Sequence, residues 1–188
     1  MKTQQEKIDG LLVILRARGV LSPDDEMELK KEFAASDTER FEDYLIDEEI
    51  VEKEDLLQAL SQYYKVPPFD VMGAMLDHDL LKMFPKNVLM NNKCIPYRVD
   101  GDLMIIVAGE PDDENLDEIL GESVSYDFQY YVGIPRHIDM MIKDFYDKEL
   151  YKDDFEDIIE KEKHERESVH IDSDEGIAHL DEEGLDED

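Results

Sequence analysis

The sequence predicts an α+β fold, in which an N-terminal bundle of two helical hairpins precedes a small β-β-α-β-α mixed-sheet subdomain and an acidic tail. Three features of the 188-residue chain predict it. Apolar residues recur at helical spacing as far as Tyr64, the adjacent prolines Pro67 and Pro68 follow, and short apolar runs replace the helical pattern after residue 93. We therefore expect a helical repeat subdomain at 1–66, a small α/β subdomain at 67–146, and an acidic helical extension with a disordered tail at 147–188.

The first hairpin is predicted from "GLLVILRARGVLSPDDEMELKKEF" and the residues just before it. The apolar stripe of its first helix consists of Ile8, Leu11, Leu12 and Leu15. Gly19 stands where a C-terminal cap belongs. Ser22–Pro23 is expected to start the second helix, because serine can cap free amides and proline suits the first turn. The apolar side of that helix is expected to consist of Met27, Leu29 and Phe33.

The same pattern returns in "RFEDYLIDEEIVEKEDLLQALSQYY", which predicts the second hairpin. Ser36 or Asp37 is the expected cap of its first helix. The residues predicted to point inward are Phe41, Tyr44 and Leu45, then Leu56, Leu57, Leu60 and Tyr63 after the Ile50–Val51 bridge. Pro67–Pro68 cannot continue a helix and so mark a subdomain boundary.

The second subdomain begins with short helices and continues with strands. Asp77 is expected to cap one helix, and Pro85 to start the next. "CIPYRVDGDLMIIVAGE" predicts a β-hairpin around Asp100–Gly101. "NLDEIL" predicts a brief helix preceded by a capping Asp112 or Asp113, "SYDFQYYVG" a third strand, and the apolar positions after Pro135 a closing helix with Ile138, Met141, Ile142 and Phe145 on one side.

The charge of the chain restricts its partners. Lys and Arg total 20 against 51 Asp and Glu, which gives a formal net charge of −31. Such a surface repels nucleic acid and anionic lipid, so the charge indicates basic protein surfaces as partners, or serves simply for solubility. Residues 147–188 hold 19 acids against 5 Lys and Arg, and those beyond Ser168 have too little apolar surface to fold. No apolar run is long enough for a signal peptide or a membrane span, so we expect a cytoplasmic protein without direct membrane insertion.

The sequence gives no sign of catalysis, a metal site or a cofactor. Cys94 stands alone in an apolar setting and is expected to be a buried strand residue. His78, His137, His164, His170 and His179 have no recognised ligand spacing. No phosphate-binding loop occurs anywhere in the sequence. The methionines at 72, 75, 140 and 141 are expected to fill core, the alternative being an adaptable contact surface.

The order and spacing of these elements resemble one family. The two helical hairpins, the Pro-Pro break, "DHDLLKMFPKNVLMNNKCIPYRVDGDLMIIVAGEPDDENLDEIL" and the closing strand and helix are similar to the N-terminal (MshE/GspE-type) domain of type II secretion and type IV pilus assembly ATPases, over roughly Lys7 to Tyr146. The resemblance implies a non-catalytic domain that docks onto the cytoplasmic part of an inner-membrane platform protein. Because the ATPase half has no counterpart, we expect a free-standing copy of the domain, the alternative being a fragment of a longer ATPase.

In one branch of that family, two tandem helical motifs bind cyclic di-GMP. The resemblance assigns Arg40, Phe41, Leu45, Leu56 and Leu60 to this motif in the second copy, together with Ile50 and Val51. Glu42 and Glu49, however, occupy positions of the motif's glycines, and Tyr63 that of its last glutamine. In the first copy Gly10 replaces the arginine and Leu12 a glycine, and Gly19, Val20 and Leu21 match. Since the helix-packing positions survive and the ligand positions do not, we expect the repeat to be kept as architecture.

Three functions are therefore open. The leading hypothesis is a protein-interaction module of a secretion, pilus or related motility system, which could be recruited to the inner membrane through its partner. The first alternative is a cyclic di-GMP sensor that uses Arg40 and the degenerate repeats. The second is a regulatory subunit that competes with a full ATPase for its membrane docking site. If the chain is a protein-interaction module, we expect an apolar groove between the repeats to bind the partner.

Overall fold

The computed structural model describes residues 3–148. The chain divides into two units, Met1–Tyr146 and Asp147–Asp188, and nearly all of the second lies outside the described residues. The predicted acidic extension and disordered tail at 147–188 therefore lie outside them too, apart from Asp147 and Lys148. The first unit is α+β, as the sequence predicts, and its described residues contain eight helices and a three-stranded mixed sheet.

The first half consists of four helices, and they form the two predicted hairpins. They are α1 (Gln4–Ala17), α2 (Asp25–Ala35), α3 (Phe41–Asp47) and α4 (Lys53–Tyr64). The predicted stripe of α1 is buried in full, and so are the inward residues of the second hairpin, Tyr63 excepted, which is partly buried. Helix α4 ends before the prolines, and Lys65 closes it in a left-handed conformation.

The details of α2 and of the α3 start differ from the prediction. Helix α2 begins at Asp25, and the Ser22 backbone N–H donates to the Asp25 carboxylate at 2.8 Å, so the acid and not the serine closes this turn. Met27 is 81% exposed and lies outside the core. The Ser36 hydroxyl donates to the Phe33 carbonyl at the end of α2, and the N-cap position of α3 is Arg40. The Ser36 and Asp37 capping prediction is therefore wrong.

The second half contains two short helices, the sheet and two more helices. After α5 (His78–Lys82) and α6 (Lys86–Asn92) come β1 (Cys94–Asp100), β2 (Leu103–Ala108), α7 (Leu116–Gly121), β3 (Asp127–Val132) and α8 (residues 135–148). The Asp77 carboxylate accepts from the Asp79 and Leu80 N–H groups, as predicted for a cap. The Asp113 carboxylate accepts from the Asn115 N–H just before α7.

The sheet has the order β1-β2-β3. Strands β1 and β2 pair antiparallel across the predicted turn, where Gly101 has φ +62°, and β2 and β3 pair parallel. Pro68 forms a parallel bridge with Val132, so the segment that follows α4 lies beside β3. Cys94 is fully buried in β1, and burial raises the pKa of its thiol to about 12.

The buried residues form two clusters. The first joins the apolar faces of α1 to α4 and includes Val132 and Ile134. The second lies on the sheet and includes the predicted α8 residues Ile138, Ile142 and Phe145. Met72, Met75 and Met140 are 37%, 95% and 47% exposed, so the expectation that they fill core is wrong, whereas Met141 is partly buried and packs against the second cluster. The subdomain boundary after residue 66 stays a prediction.

Candidate functional site

Helix α1 begins with a reciprocal cap that fixes the position of Lys7. The Thr3 hydroxyl accepts from the Glu6 N–H at 3.2 Å, and the Glu6 carboxylate accepts from the Thr3 N–H at 2.7 Å. This capping box fixes the first turn of the helix. Lys7 follows directly, four residues before the buried Leu11 and therefore on the side of α1 that faces the other helices.

The side chains of Lys7 and Glu42 form a buried ion pair. Lys7 Nζ lies 2.6 Å from Glu42 Oε1, and these side chains are only 12% and 2% exposed. Burial alone would lower the pKa of the Lys7 ammonium, but Glu42 and Tyr64 together outweigh it and the pKa rises above its usual value. Lys7 Nζ also lies 3.4 Å from Glu110 Oε1 and 5.6 Å from the centre of the Tyr64 ring.

A cavity of about 360 Å³ opens beside this pair. We call it the repeat cavity, because residues from the start of α1, the start of α3, the end of α4 and the loop after β2 line it. Its lining contains two cations, Lys7 and Arg40, and two tyrosines, Tyr63 and Tyr64. Its five carboxylates belong to Glu39, Glu42, Glu110, Asp112 and Asp113. The volume is that of a small-ligand or side-chain site, and the charged groups of the lining are predominantly acidic.

Gly10 gives Tyr63 its place in this lining. A Cβ atom at residue 10 would lie 2.5 Å from Cε2 and 2.9 Å from Cδ2 of Tyr63, so the ring packs directly on the α1 backbone. The Tyr63 and Tyr64 rings meet edge to face, with centroids 4.9 Å apart. Burial raises the pKa of the Tyr64 hydroxyl, and the neighbouring Lys7 opposes this only in part.

The structure separates the five site residues suggested by the resemblance into two groups. Arg40 and Phe41 line the repeat cavity. Leu45, Leu56 and Leu60 are fully buried in the first hydrophobic cluster and are not part of the lining. Arg40 is half-buried at the start of α3, and its guanidinium forms no ion pair with any residue that the structure describes.

Sequence reasoning missed Lys7, Tyr64 and the acids of the loop after β2. The sequence does contain a signal for Lys7, because this residue precedes Ile8 and lies one turn before Leu11, which predicts that it faces the apolar side of α1. Glu42 stands at a position where the family motif has glycine, and its neighbours Phe41 and Leu45 are core residues. The approach of the loop acids Glu110 to Asp113 depends on how the sheet packs against the helices, which no local pattern encodes.

The two hairpins share one backbone device at a 30-residue interval. Gly19 and Glu49 both have positive φ, +75° and +53°, directly after the first helix of each hairpin. The Val20 N–H donates to the Leu15 carbonyl, and the Ile50 N–H donates to the Leu45 carbonyl. Glu42 matches Leu12 at the same interval, and both side chains are buried. The family motif has glycine at the position of residue 49, and the backbone there does adopt the positive φ that favours glycine, although the residue is a glutamate.

A second group of charges lies on the other side of Arg40. Lys93 pairs with Asp139 at 2.8 Å, Arg136 pairs with Asp47, and these residues share a surface cavity with Arg40 and Asp43. The Asp43 Oδ1 atom is buried without a hydrogen-bond donor among the described residues. Burial, and secondly the Glu42 charge, raise the pKa of Asp43 to about 6, against the opposing effect of Arg40 and Arg136.

Two kinds of site have no candidate in residues 3–148. No group of three His, Cys, Asp or Glu side chains in that range is arranged to hold a metal ion. None of the helices in the same range is long and apolar enough to cross a bilayer.

Comparison with known proteins identifies the domain type. Residues 64–151 match the family model of the MshEN domain. A structure of MshE with cdg (c-di-GMP) has 20% identity and a TM-score of 0.56, covering 72% of this chain and 98% of that chain. A structure of the N-terminal domain of XpsE has 14% identity and a TM-score of 0.52, covering 76% and 96%. No curated protein matches. Residues 64–151 are thus similar to the MshEN domain, and the chain shares the fold of the MshE structure and the XpsE N-terminal domain, which confirms its resemblance to the N-terminal domains of secretion and pilus ATPases.

Proposed function

We propose that this chain is a non-catalytic docking module that binds a protein partner in a secretion or pilus-type system on the cytoplasmic side of the inner membrane. The partner proposed first is the cytoplasmic part of a membrane platform protein. A competing role against a full assembly ATPase for the same docking site is one form of this proposal. The match to the MshEN family over residues 64–151 supports the type of system.

The observation that carries the proposal is the Lys7–Glu42 pair. Glu42 occupies a position where the nucleotide-binding motif has glycine, and its carboxylate lies in the lining of the repeat cavity. A bound phosphodiester there would meet five carboxylates and would compete with Glu42 for Lys7. Repeats that keep their apolar interior and carry acids at the ligand positions suit protein docking better than nucleotide sensing.

Cyclic di-GMP binding remains the second candidate, and one feature favours it. The Arg40 guanidinium lines the repeat cavity without an ion pair among the described residues, and such a group can bind phosphate or a guanine edge. Against this stands the predominantly acidic lining. We therefore expect no cyclic di-GMP binding in titration calorimetry with the full chain.

The test is direct binding between purified proteins. The full 188-residue chain is titrated with the cytoplasmic part of each platform protein and with each assembly ATPase encoded in the same genome, by calorimetry. We expect micromolar binding to a platform protein. An unrelated protein of similar size and net charge serves as the control for electrostatic attraction, and it must not bind.

Three outcomes would count against the proposal. Absence of binding to every platform protein and ATPase would overturn it. Equal binding of the charge-matched control would reduce it to non-specific attraction. Saturable binding of cyclic di-GMP that Arg40→Ala abolishes would replace it with the second candidate.

A further inference from the structure

We propose that the repeat cavity receives a cationic side chain, lysine or arginine, from a basic segment of the partner protein. This inference rests on the proposed docking function and specifies the site and the chemistry. The occupant is an extended peptide segment with at least one basic residue, and that residue inserts between the Tyr63–Tyr64 pair and the acids of the loop after β2.

The first argument is the charge of the lining. Lys7 and Glu42 neutralise each other within the cavity wall, at 2.6 Å. What then remains is Arg40 against the carboxylates of Glu39, Glu110 and Asp113. An incoming cation is attracted by this excess, and an anion is repelled, so charge complementarity selects a basic partner.

The second argument is that the site already holds a cation. Lys7 is largely buried, which by itself favours the neutral amine, and yet the pKa of Lys7 is raised and the ammonium form is retained. Its Nζ atom contacts Glu110 and lies 5.6 Å from the Tyr64 ring centre. An ammonium or guanidinium entering beside it would meet the same two kinds of group, a carboxylate and an aromatic face.

The third argument is that the aromatic wall is built into the helix packing. A glycine inside a helix is less favourable than alanine, and Gly10 is in the middle of α1. Its missing Cβ is what lets the Tyr63 ring lie on the helix backbone, beside the cavity. The chain therefore tolerates a weaker helix at the point where the ring contributes a flat, apolar surface for the stem of a long basic side chain.

The experiment follows backbone amide NMR signals of the full chain during titration with three capped peptides, Ac-GRGRG-NH2, Ac-GQGQG-NH2 and Ac-GEGEG-NH2. We expect saturable shifts for the arginine peptide alone, at Gly10, Tyr63 and Glu110. The double variant Glu39→Gln/Glu110→Gln should weaken this binding by about fivefold, because each exposed carboxylate contributes only modestly to the attraction.

The matched control is Glu28→Gln/Glu122→Gln, which changes the net charge equally at two exposed acids outside the cavity lining. It should leave the affinity within about twofold, since distant exposed charges are largely screened. Arg40→Gln distinguishes a cation-binding site from an anion-binding site, because it should change the affinity in opposite directions. It should strengthen binding of the arginine peptide by removing a competing cation, whereas an anion site would lose its ligand.

Each result either supports or overturns the inference. Shifts spread over the whole acidic surface, or equal weakening in the control variant, would overturn it, and so would absence of shifts with the arginine peptide. If the platform protein binds the wild type and Glu39→Gln/Glu110→Gln equally, the docking function stands and the cavity proposal fails. If no platform protein binds but the arginine peptide does, the cavity proposal stands and the docking assignment fails.

Discussion

At the scale of single residues, the Lys7–Glu42 pair should be strongly coupled. Glu42→Leu removes the carboxylate and leaves a buried ammonium with the 3.4 Å contact to Glu110 and the neighbouring Tyr64 ring, so we expect a loss of roughly 2–4 kcal/mol in the free energy of unfolding. Lys7→Met/Glu42→Leu should recover most of this loss, because an apolar pair of similar volume needs no desolvated charge. Urea unfolding of the four proteins in this cycle measures the coupling free energy.

The exposed ion pair between Glu26 and Lys30 provides the control for that cycle. These side chains are 29% and 34% exposed and lie 2.8 Å apart on one face of α2. Glu26→Gln should therefore cost less than about 1 kcal/mol. A cycle at Lys7 and Glu42 that gives no more coupling than this surface pair would mean that the buried pair is solvated in solution.

Asp43 should make stability depend on pH between its unfolded and folded pKa values. Its folded pKa of about 6 lies above the usual value near 4, so the folded state binds the proton more tightly and stability rises as the pH falls from 6 toward 4. Asp43→Asn abolishes this term. The variant should be more stable than wild type by roughly 1–2 kcal/mol at pH 7, since the side chain is only partly buried.

The measurement is the difference in urea unfolding free energy between Asp43→Asn and wild type at pH 7 and at pH 4.5. Taking the difference cancels the titration of the other carboxylates, which both proteins share. The gap should close at the lower pH. A gap that stays constant would show that the variant acts through packing or through the Arg136 contact and not through the charge of residue 43.

At the scale of elements, the turn after α3 should be a site of backbone strain. Glu49 adopts φ +53°, a conformation that costs a residue with a Cβ roughly 1–2 kcal/mol. Glu49→Gly should therefore stabilise the protein by about 0.5–1 kcal/mol, after the larger entropy loss of glycine is subtracted. Glu48→Gly, one residue earlier at φ −86°, has no strain to relieve and should destabilise by a similar amount. Thermal unfolding of the two neighbouring variants tests this sign reversal.

The elements themselves were largely predictable because their signals are local. The apolar stripe of α1, the Asp77 cap, the turn at Gly101 and the helix after Pro135 each depend on residues within a few positions of one another. The errors at Ser22 and Ser36 have a similar origin, since nearby acceptors engage both serines: the Ser22 N–H donates to the Asp25 carboxylate and the Ser36 hydroxyl donates to the Phe33 carbonyl, and neither serine is the N-cap residue of the following helix.

The candidate site was less predictable because it joins distant segments. Lys7 and Glu42 are separated by 35 residues, and Glu110 is separated from Lys7 by 103. The sequence does show that Glu42 replaces a glycine of the family motif, and the structure does place Glu42 in the lining of the repeat cavity. It does not show that the carboxylate turns inward to a lysine, because that depends on how α1 and α3 pack.

At the scale of the whole molecule, the two hairpins share their buried packing residues but differ in where their acidic side chains lie. Both hairpins keep the buried leucines and the left-handed residue that ends the first helix. The second hairpin holds its internal acid against Lys7, while exposed acids surround the cavity above that pair. The same protein therefore contains one neutralised buried charge and a large unbalanced surface charge, and salt should act on these two in different ways.

The net charge of −31 should make the folded state more stable at high salt. In a compact chain the excess carboxylates repel one another more than in the unfolded chain, and salt screens this repulsion within a Debye length that falls from about 20 Å at 20 mM to about 4 Å at 500 mM. The urea midpoint should rise over this range of NaCl, while the Lys7–Glu42 coupling should change less because the two side chains are largely buried. Sodium sulfate would add an exclusion effect, so sodium chloride is the appropriate salt. A urea midpoint that falls with salt would mean that surface ion pairs such as Lys30 with Asp9 outweigh the repulsion.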